Sequence, residues 1–389
     1  MKRTFITFGA LLLSMLFAAA QEPVKGDILL NEAQGSYTPS FENDRAERTP
    51  KNIILLIGDG MGLAHISAAM YANGNELTIT NLQTCGFVRT QAAGDDFTTD
   101  SGASGTAYAT GVKTHNAAIG VDVNDKPVKN IPEIIDGMGY VSGVITTDGI
   151  DGCTPSVFFA HQPDRHMSEE IWADLPGAKL SFISGGSWGA FEDQSYETRD
   201  AIEKRYKVVN SLDDVAAGTR RIAYLPEKSE VSSIAKGRGD FLPATTEYAI
   251  NFLNSHPDNE KGFFLMVEGA RIDKSCHDND FETAMLELLD FDKAVEAAIR
   301  FAEQDGNTLV IISADHETGA LSLRGKDKKT GAIKGLFLSR GHTPIMVPLF
   351  AYGPMSLKFT GVQENSDVNH KIVELFSSQA KDRRKARRN

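Results

Sequence analysis

The sequence predicts an α/β fold, in which helices sandwich a central, mostly parallel β-sheet. Short, almost wholly apolar runs recur along the chain between turn residues, a pattern typical of strands buried on both faces. Segments with helical periodicity lie between several of these runs, as the crossovers of a parallel sheet require. The chain has 389 residues, of which 41% are hydrophobic, enough to bury a large core. We expect one domain over residues 49–378.

The N-terminal segment is expected to lie outside this domain. Lys2 and Arg3 precede an apolar run that ends in three alanines, which predicts a secretory signal peptide over residues 1–20. Its removal would give an exported protein, periplasmic or secreted; a retained membrane anchor is the alternative. Residues 21–48 are polar and are predicted to form a loose leader. After signal removal we expect no membrane span, because no later stretch is long and apolar enough.

The strands and helices of the domain are predicted from the periodicity of its apolar residues. The first strand covers residues 51–58 and turns into a helix at about 63–71. The other predicted strands are 140–146, 180–184, 262–267, 308–313 and 345–351. The strongest helical pattern covers 281–304. Residues 186–245 are richer in charge and glycine, which suggests a peripheral insertion.

The net charge of the chain limits the kinds of molecule that it can bind. The formal net charge is −12, and the last nine residues contain six basic residues and one acidic residue, so the rest of the chain is more acidic still. We therefore expect no nucleic acid as a specific partner. Residues 379–389 are predicted to form a basic, disordered tail.

The cysteine count indicates that disulfides do not stabilise this fold. The chain contains three cysteines, an odd number, and their spacing suggests no disulfide framework. We interpret Cys85, Cys153 and Cys276 as small, buried space-filling residues.

Polar residues follow the ends of several predicted strands. The carboxyl ends of parallel strands meet at one edge of a sheet, where ligands of open α/β folds bind. Four strand ends supply carboxylates, hydroxyls or imidazoles: Asp59; Thr147, Asp148 and Thr154; Glu268; Asp315 and His316. The sequence therefore predicts a polar site at this edge.

A serine in the stretch FTTDSGASGTAYATGVKT is the first candidate for chemistry. Ser101 follows Asp100 and precedes small residues that permit close packing, with a helix-compatible segment at 106–110. A hydroxyl at a helix N-terminus faces unpaired amides and the positive end of the helix dipole, which suits an anion or a serine that carries phosphate. An ordinary helix cap is the alternative interpretation of this stretch.

The candidate metal ligands are carboxylates and histidines. Asp273 and His277 are four residues apart, so a helical turn places both on one face, as a zinc-type pair or as a simple hydrogen-bonded pair. Asp315 and His316 are adjacent at a strand end, and His342 precedes another buried strand. Each of these alone is also compatible with a structural role.

Six motifs together resemble the alkaline phosphatases. They occur in the family's order and rough spacing, from about residue 51 to 354: IGDGMG, TDSGASGTAYATGVKT, TPSVFFAHQPDR, VEGARIDKSCH, SADHETGA and GHT. The resemblance implies an alkaline phosphatase-like form of the α/β fold and hydrolysis of small-molecule phosphate monoesters. It also implies a homodimer.

The resemblance also implies a role for each candidate residue. Two Zn²⁺ and one Mg²⁺ would be bound, the first zinc by Asp273, His277 and His342, the second by Asp59, Asp315 and His316, and the magnesium by Asp59, Thr154 and Glu268. Ser101 would be the nucleophile, Arg165 would clamp the phosphate, Asp100 would orient that arginine and Lys274 would contact phosphate directly or through water. Two displacements through a phosphoserine would then release inorganic phosphate, and the cations would offset the ligand carboxylates that otherwise repel substrate.

The sequence departs from the family pattern at one position, and it leaves two alternative functions open. Many family members have Asp or His where this chain has Gly152, near the expected magnesium shell, and the neighbouring Asp151 is a candidate substitute. The rivals are a phosphodiesterase or nucleotide pyrophosphatase of the same superfamily, and a non-catalytic, metal-dependent phosphate-binding protein. Ser101 and Arg165 favour the monoesterase, because the diesterases commonly use threonine and lack the arginine clamp.

Overall fold

The structure, a computed structural model, describes residues 22–386. The predicted signal peptide and the last three residues of the chain lie outside the described residues. Among the residues described, no helix has the length and apolar character needed to cross a membrane.

Strands and helices alternate along much of the chain. The strands are β1 (Val24–Ile28), β2 (Asn52–Gly58), β3 (Thr84–Arg89), β4 (Tyr140–Gly149), β5 (Phe182–Gly186), β6 (Lys207–Val209), β7 (Ile222–Tyr224), β8 (Gly262–Gly269), β9 (Thr308–Ser313), β10 (Glu317–Thr318), β11 (Ser322–Lys326), β12 (Ile333–Phe337), β13 (His342–Thr343), β14 (Val347–Tyr352) and β15 (Gly361–Glu364). The helices are α1 (Leu63–Ala72), α2 (Ser101–Thr110), α3 (Ile131–Asp136), α4 (Cys153–Ser156), α5 (Ser168–Asp174), α6 (Trp188–Glu192), α7 (Tyr196–Arg205), α8 (Phe241–Asn254), α9 (Arg271–His277), α10 (Phe281–Asp305) and α11 (Asn365–Ala386).

Ten of these strands form the central sheet, in the order β15-β3-β14-β9-β2-β8-β4-β5-β7-β6. Its pairs are parallel except those of β14, which runs antiparallel to both β3 and β9. Every residue of β2, β8 and β9 is buried, which requires cover on both faces of the sheet. The predicted α/β class, with a mostly parallel sheet between helices, is confirmed.

The segment before the domain is packed rather than loose, contrary to the sequence-based expectation. β1 pairs antiparallel with β12 in a small three-stranded sheet. Farther along, the Gln34 amide donates to Asn73 over 2.8 Å and the Ser40 amide donates to Glu303 over 2.6 Å. Side chains of the domain thus satisfy the backbone of this polar segment, which composition alone does not reveal.

Part of the stretch 186–245, suggested by the sequence to be a peripheral insertion, lies at the edge of the central sheet. It supplies β6 and β7, which extend the central sheet beyond β5 by parallel pairing. These strands have only three residues each, too short to give a clear apolar run in the sequence.

Two smaller expectations also differ from the structure. α11 continues to Ala386, so the tail predicted from residue 379 begins inside a helix, because Lys, Arg and Ala favour helix. Cys85 is exposed, whereas Cys153 and Cys276 are buried as expected. β3 alternates buried and exposed residues, and Cys85 lies on its exposed face.

Candidate active site

The carboxyl ends of four adjacent strands bring the predicted polar residues together. In the register of the sheet, Ile57 of β2 lies beside Glu268 of β8 and Ser313 of β9, and Thr146 of β4 lies on the other side of Glu268. The residues that follow these positions therefore converge at one edge of the sheet. They are Asp59, Asp148, Thr154, Asp315 and His316.

Ser101 is the first residue of α2 and is buried at this edge. Its Oγ lies 3.2 Å from His316 Nε2 and 3.5 Å from Asp59 Oδ2. Gly102 permits α2 to pack closely against the backbone at Ala118, because a Cβ on Gly102 would lie 3.0 Å from the Ala118 carbonyl oxygen. The helix cap is Asp100 and not the serine, which leaves the Ser101 hydroxyl available for chemistry.

Asp100 links the start of α2 to Arg165. Its Oδ1 accepts the Ala103 amide over 2.9 Å, while Oδ2 accepts the Ala117 amide over 2.9 Å and Arg165 Nη1 over 3.2 Å. The Arg165 amide in turn donates to the Ala117 carbonyl over 2.8 Å. Burial lowers the pKa of Arg165, but the neighbouring Cys153 and Asp100 raise it above its ordinary value. The guanidinium is thus charged and oriented before any substrate binds.

Asp59, Asp315 and His316 form a buried group in which two carboxylate oxygens lack a hydrogen-bond partner among the described residues. His316 Nε2 lies 3.5 Å from Asp59 Oδ1 and 3.2 Å from Asp315 Oδ2. Within residues 22–386, neither of these two carboxylate oxygens has a hydrogen-bond partner. Burial raises the pKa of Asp59 well above its usual range, and the charge of Asp315 adds to this effect. A cation bound here would satisfy both oxygens and offset the repulsion.

Asp273, His277 and His342 form a second group beside the first. His277 Nε2 lies 3.2 Å from Asp273 Oδ2 and 3.1 Å from His342 Nε2, and His342 Nε2 lies 3.7 Å from Asp273 Oδ1. The rings of His316 and His342 stack at 3.6 Å, so the two groups share a wall. His316 also comes close enough to Asp273 and His342 to form an alternative ligand trio.

The hydrogen bonds of His277 and His342 favour a cation between these two rings. His277 Nδ1 contacts the Arg340 carbonyl, and His342 Nδ1 contacts the Thr99 carbonyl at 2.8 Å. A carbonyl oxygen accepts only, so each Nδ1 carries the proton and, in neutral rings, each Nε2 presents a lone pair. When both rings are neutral, two lone pairs face each other at 3.1 Å and repel; a bound cation relieves this repulsion, as does a proton on His277, whose pKa the hydrogen bond to Asp273 raises.

Glu268 and Thr154 form the oxygen-rich part of the site. Glu268 accepts a hydrogen bond from Thr146, and burial raises its pKa to about 8, with a further contribution from the charge of Asp148. The buried Thr154 hydroxyl has no hydrogen-bond partner among the described residues. Together with Asp59 these groups offer only oxygen ligands, which suits Mg²⁺.

Gly152 is surrounded by groups that occupy the space of a side chain. A Cβ there would lie 2.6 Å from Asp148 Oδ2 and 3.0 Å from the Gly149 carbonyl oxygen. Asp151 does not face this space, because its carboxylate accepts hydrogen bonds from Ser168 and Ser187 over 2.7 and 2.8 Å. The carboxylate beside Gly152, where many family members have Asp or His, is therefore that of Asp148 and not that of Asp151.

Lys274 lies beside the site but is already paired. Its Nζ is 2.6 Å from Asp148 Oδ1 and also contacts Glu230. Burial lowers the pKa of Lys274, but Asp148 and then Glu230 raise it above its ordinary value, so the ammonium stays charged. The sequence offers no signal for Glu230, which is distant along the chain from every motif.

Thr318 is another residue that motif analysis missed. Its hydroxyl donates to Asp273 Oδ1 and lies 3.2 Å from His316 Nδ1, so it contacts one residue of each candidate metal group. The hydroxyl can donate to the carboxylate and accept from the imidazole at once, which orients both side chains. The sequence does contain a signal for Thr318: it comes two residues after His316, so the two side chains lie on the same face of an extended segment.

At the carboxyl edge of the central sheet, acidic and imidazole groups surround a serine and an arginine. Together with the fold, this arrangement is typical of one class of protein, the metal-dependent hydrolases that act on phosphate esters. The family model described as "Alkaline phosphatase" matches residues 50–181 and 240–336. Alkaline phosphatase 4 of Bacillus subtilis is 30% identical over 87% of this chain and 90% of its own length. The alkaline phosphatase of Escherichia coli K12 is 29% identical over 86% of this chain and 88% of its own length.

Solved structures agree with these sequence matches. The alkaline phosphatase of the Antarctic bacterium TAB5 is 36% identical to this chain and superposes on it with a TM-score of 0.79. The match covers 85% of this chain and 98% of the TAB5 chain. A variant of that enzyme was solved with Mg bound in its M3 site. The chain belongs to the alkaline phosphatase family, as its motifs predicted, and is a phosphomonoester hydrolase of a family that binds divalent metals.

Proposed function

We propose that this enzyme hydrolyses phosphate monoesters through a phosphoserine on Ser101, at a site for two zinc ions and one magnesium ion. The observation that carries the proposal is the position of the Ser101 hydroxyl, 3.2 Å from His316 and 3.5 Å from Asp59. Both neighbours are candidate metal ligands, and the oriented Arg165 is held by Asp100, the residue next to this serine.

The residues present fit the proposed metals. The first zinc would be held by Asp273, His277 and His342, the second by Asp59, Asp315 and His316, and the magnesium by Asp59, Thr154 and Glu268. The support is the facing lone pairs of the two histidines and the unpartnered buried oxygens of Asp59, Asp315 and Thr154. When bound, the ions supply positive charge that lowers the pKa of the serine hydroxyl and stabilises the oxygens that enter and leave phosphorus.

The chain's own residues would bind and orient the substrate. Arg165 offers two parallel N–H groups to two phosphate oxygens, a geometry that lysine cannot match. Asp100 holds the guanidinium so that little side-chain freedom is lost on binding. Lys274 adds a positive charge nearby, held between Asp148 and Glu230.

The reaction would take two displacements at phosphorus. The Ser101 hydroxyl gives up its proton and its oxygen forms a bond to phosphorus as the ester bond breaks, and the leaving oxygen takes up a proton to give the alcohol. Water then attacks the phosphoserine; its oxygen bonds to phosphorus, the Ser101 oxygen regains a proton, and inorganic phosphate leaves. The buried N-terminus of α2 keeps the serine oxygen in place through both steps.

The phosphoserine can be tested by trapping it at low pH with radiolabelled phosphate. We expect label on the peptide that contains Ser101, and none in Ser101→Ala, the matched control. Monoester hydrolysis with label on another residue would contradict the proposal. A parallel assay with a diester separates the diesterase alternative, since we expect the monoester to be hydrolysed much faster.

The metals can be tested by elemental analysis and chelation. We expect two zinc and one magnesium per chain, loss of monoester hydrolysis after chelation, and recovery when the metals return. An active metal-free enzyme would contradict the site. We also expect the rate to rise into the alkaline range as the attacking groups lose their protons, and a rate that falls steadily above neutral pH would count against the mechanism.

We also propose that the enzyme is exported and acts as a homodimer. Export rests on the N-terminal pattern in the sequence. The dimer is supported by two neighbouring exposed apolar side chains at the sheet edge: Phe87 of β3 and Val362 of β15 are paired in register and are 40% and 58% exposed. Sedimentation of the wild type and of Phe87→Lys tests the dimer; we expect the variant to be monomeric, and a monomeric wild type would contradict it.

A further inference from the structure

Lys274 is held between two carboxylates that come from different parts of the chain. Asp148 belongs to β4, within a stretch that the family model matches. Glu230 lies between β7 and α8, in the stretch 182–239 that separates the two matched segments. A part of this chain that the family model does not match thus reaches the residue proposed to contact phosphate.

The backbone at Glu230 is fixed by its neighbours. The amides of residues 187–189 donate to the carbonyls of residues 227–229 over 2.6–2.9 Å. A Cβ on Gly186 would lie 2.6 Å from the Glu230 Cα, so a glycine is needed for this close approach. The Glu230 carboxylate therefore extends toward Lys274 from a fixed position.

Glu230 also neutralises a second cation. Its Oε1 lies 3.2 and 3.1 Å from the two terminal nitrogens of Arg271, three residues before Lys274 on α9. Burial raises the pKa of Glu230, but Lys274 and then Arg271 lower it below its ordinary value, so the carboxylate is charged. With Asp148, the two cations and two carboxylates form a cluster with no net charge.

Removal of the Glu230 charge would leave this cluster with one positive charge. A phosphate dianion nearby would then be attracted more strongly. We propose that Glu230 is a positioning residue that holds Lys274 and offsets its charge, and that it thereby weakens the binding of inorganic phosphate and favours product release. This inference rests on the phosphatase mechanism proposed above and deepens it.

The isosteric variant Glu230→Gln tests the role of the charge. Its single amide oxygen still accepts a hydrogen bond from Lys274 or from Arg271, but not from both, because the two cations contact different carboxylate oxygens. The measurement is the Ki of inorganic phosphate as a competitive inhibitor of the metal-loaded enzyme. The two side chains are 35% and 37% exposed, so solvent screens part of the effect. We expect Ki to fall about fivefold, equivalent to about 1 kcal/mol, and KM to fall with it. The difference should shrink as salt rises from about 0.05 to about 1 M.

Two further variants separate this role from a loss of structure. Glu227→Gln removes a carboxylate from the same loop, one that accepts hydrogen bonds from Ser232 over 3.1 and 2.6 Å and makes none with Lys274, so Ki should not change. In a Lys274→Ala background, Glu230→Gln should lower Ki by clearly less than it does in the wild type, because the part of the effect that acts through Lys274 is lost.

The outcomes distinguish this inference from the proposed function. A wild type that phosphate inhibits, together with an unchanged or higher Ki in Glu230→Gln, overturns the role of Glu230 and leaves the function standing. An equal fall in Ki without Lys274 also overturns it. A wild type that hydrolyses no monoester and does not bind phosphate overturns both.

Discussion

The Asp100 carboxylate joins three parts of the active site, so its replacement should impair both stability and phosphate binding. It caps α2 through the Ala103 amide, accepts the Ala117 amide and holds Arg165. We compare Asp100→Ala, which removes all three contacts, with Asp100→Asn, which keeps one oxygen to cap α2. The amide of the second variant cannot accept the two remaining donors.

The magnitude follows from these contacts. Loss of a helix cap costs about 1 kcal/mol. The partly buried Ala117 amide left without an acceptor costs about 1 kcal/mol more. The ion pair is partly exposed, with side-chain exposures of 34% and 19%, and contributes about 0.5 kcal/mol. We therefore expect Asp100→Ala to lower the free energy of unfolding by about 2–3 kcal/mol, and Asp100→Asn by about 1 kcal/mol less.

The effect on binding should be the same in both variants. Each frees the Arg165 side chain, whose ordering on phosphate then costs about 1 kcal/mol, so phosphate Ki and KM should rise about fivefold. The assays are chemical denaturation of the metal-loaded protein and inhibition by phosphate, each repeated in an Arg165→Ala background. The reasoning is refuted if Ki rises equally without Arg165, or if both variants unfold at the same denaturant concentration.

Three other substitutions test packing and charge. Gly152→Ala should cost about 1–3 kcal/mol in denaturation, because the new Cβ meets the Asp148 carboxylate; an unchanged midpoint would contradict this packing. Arg238→Met should cost about 3–5 kcal/mol, because the buried carboxyls of Glu287 and Asp290 lose their cation. Burial raises the pKa of Asp290 to about 6 against the opposing effect of Arg238, and loss of that cation raises it further, so the variant loses additional stability as pH rises above 6; the deficit should be larger at pH 8 than at pH 5, and an equal deficit would refute this. Glu268→Gln should stabilise the chelated protein at pH 9 more than at pH 6, since burial raises the pKa of Glu268 to about 8 and the wild type therefore loses stability as pH rises towards 8; the reverse order in denaturation would be evidence against it.

The local elements of the fold were predictable because their signals are local. The apolar periodicity that predicted helices at 63–71 and 281–304 corresponds to α1, Leu63–Ala72, and α10, Phe281–Asp305. The caps of α10 agree, since Asp280 accepts the Thr283 amide at its start and Gly306 is left-handed at its end. The orientation of β14 was not predictable, because an apolar run does not encode the direction of its neighbours.

The candidate site divides in the same way. The positions that carry carboxylates, hydroxyls and imidazoles were evident from the sequence, because strand ends mark one edge of a parallel sheet. The hydrogen bonds that these groups make with side chains from distant segments were not evident from the sequence. Asp148 and Glu230 meet at Lys274, and Thr318 links Asp273 to His316, only because distant segments pack together.

By itself, the sequence determined the α/β class, the family and the set of residues that converge beyond the strand ends, since residue type and spacing carry that information directly. The tertiary structure alone decided which of these side chains are paired, which buried oxygens are left without a partner and where the charges balance. The physical reason is that burial and charge pairing depend on distance in space. That distance is set by the packing of segments such as residues 227–230 against α6 and α9, far apart along the chain.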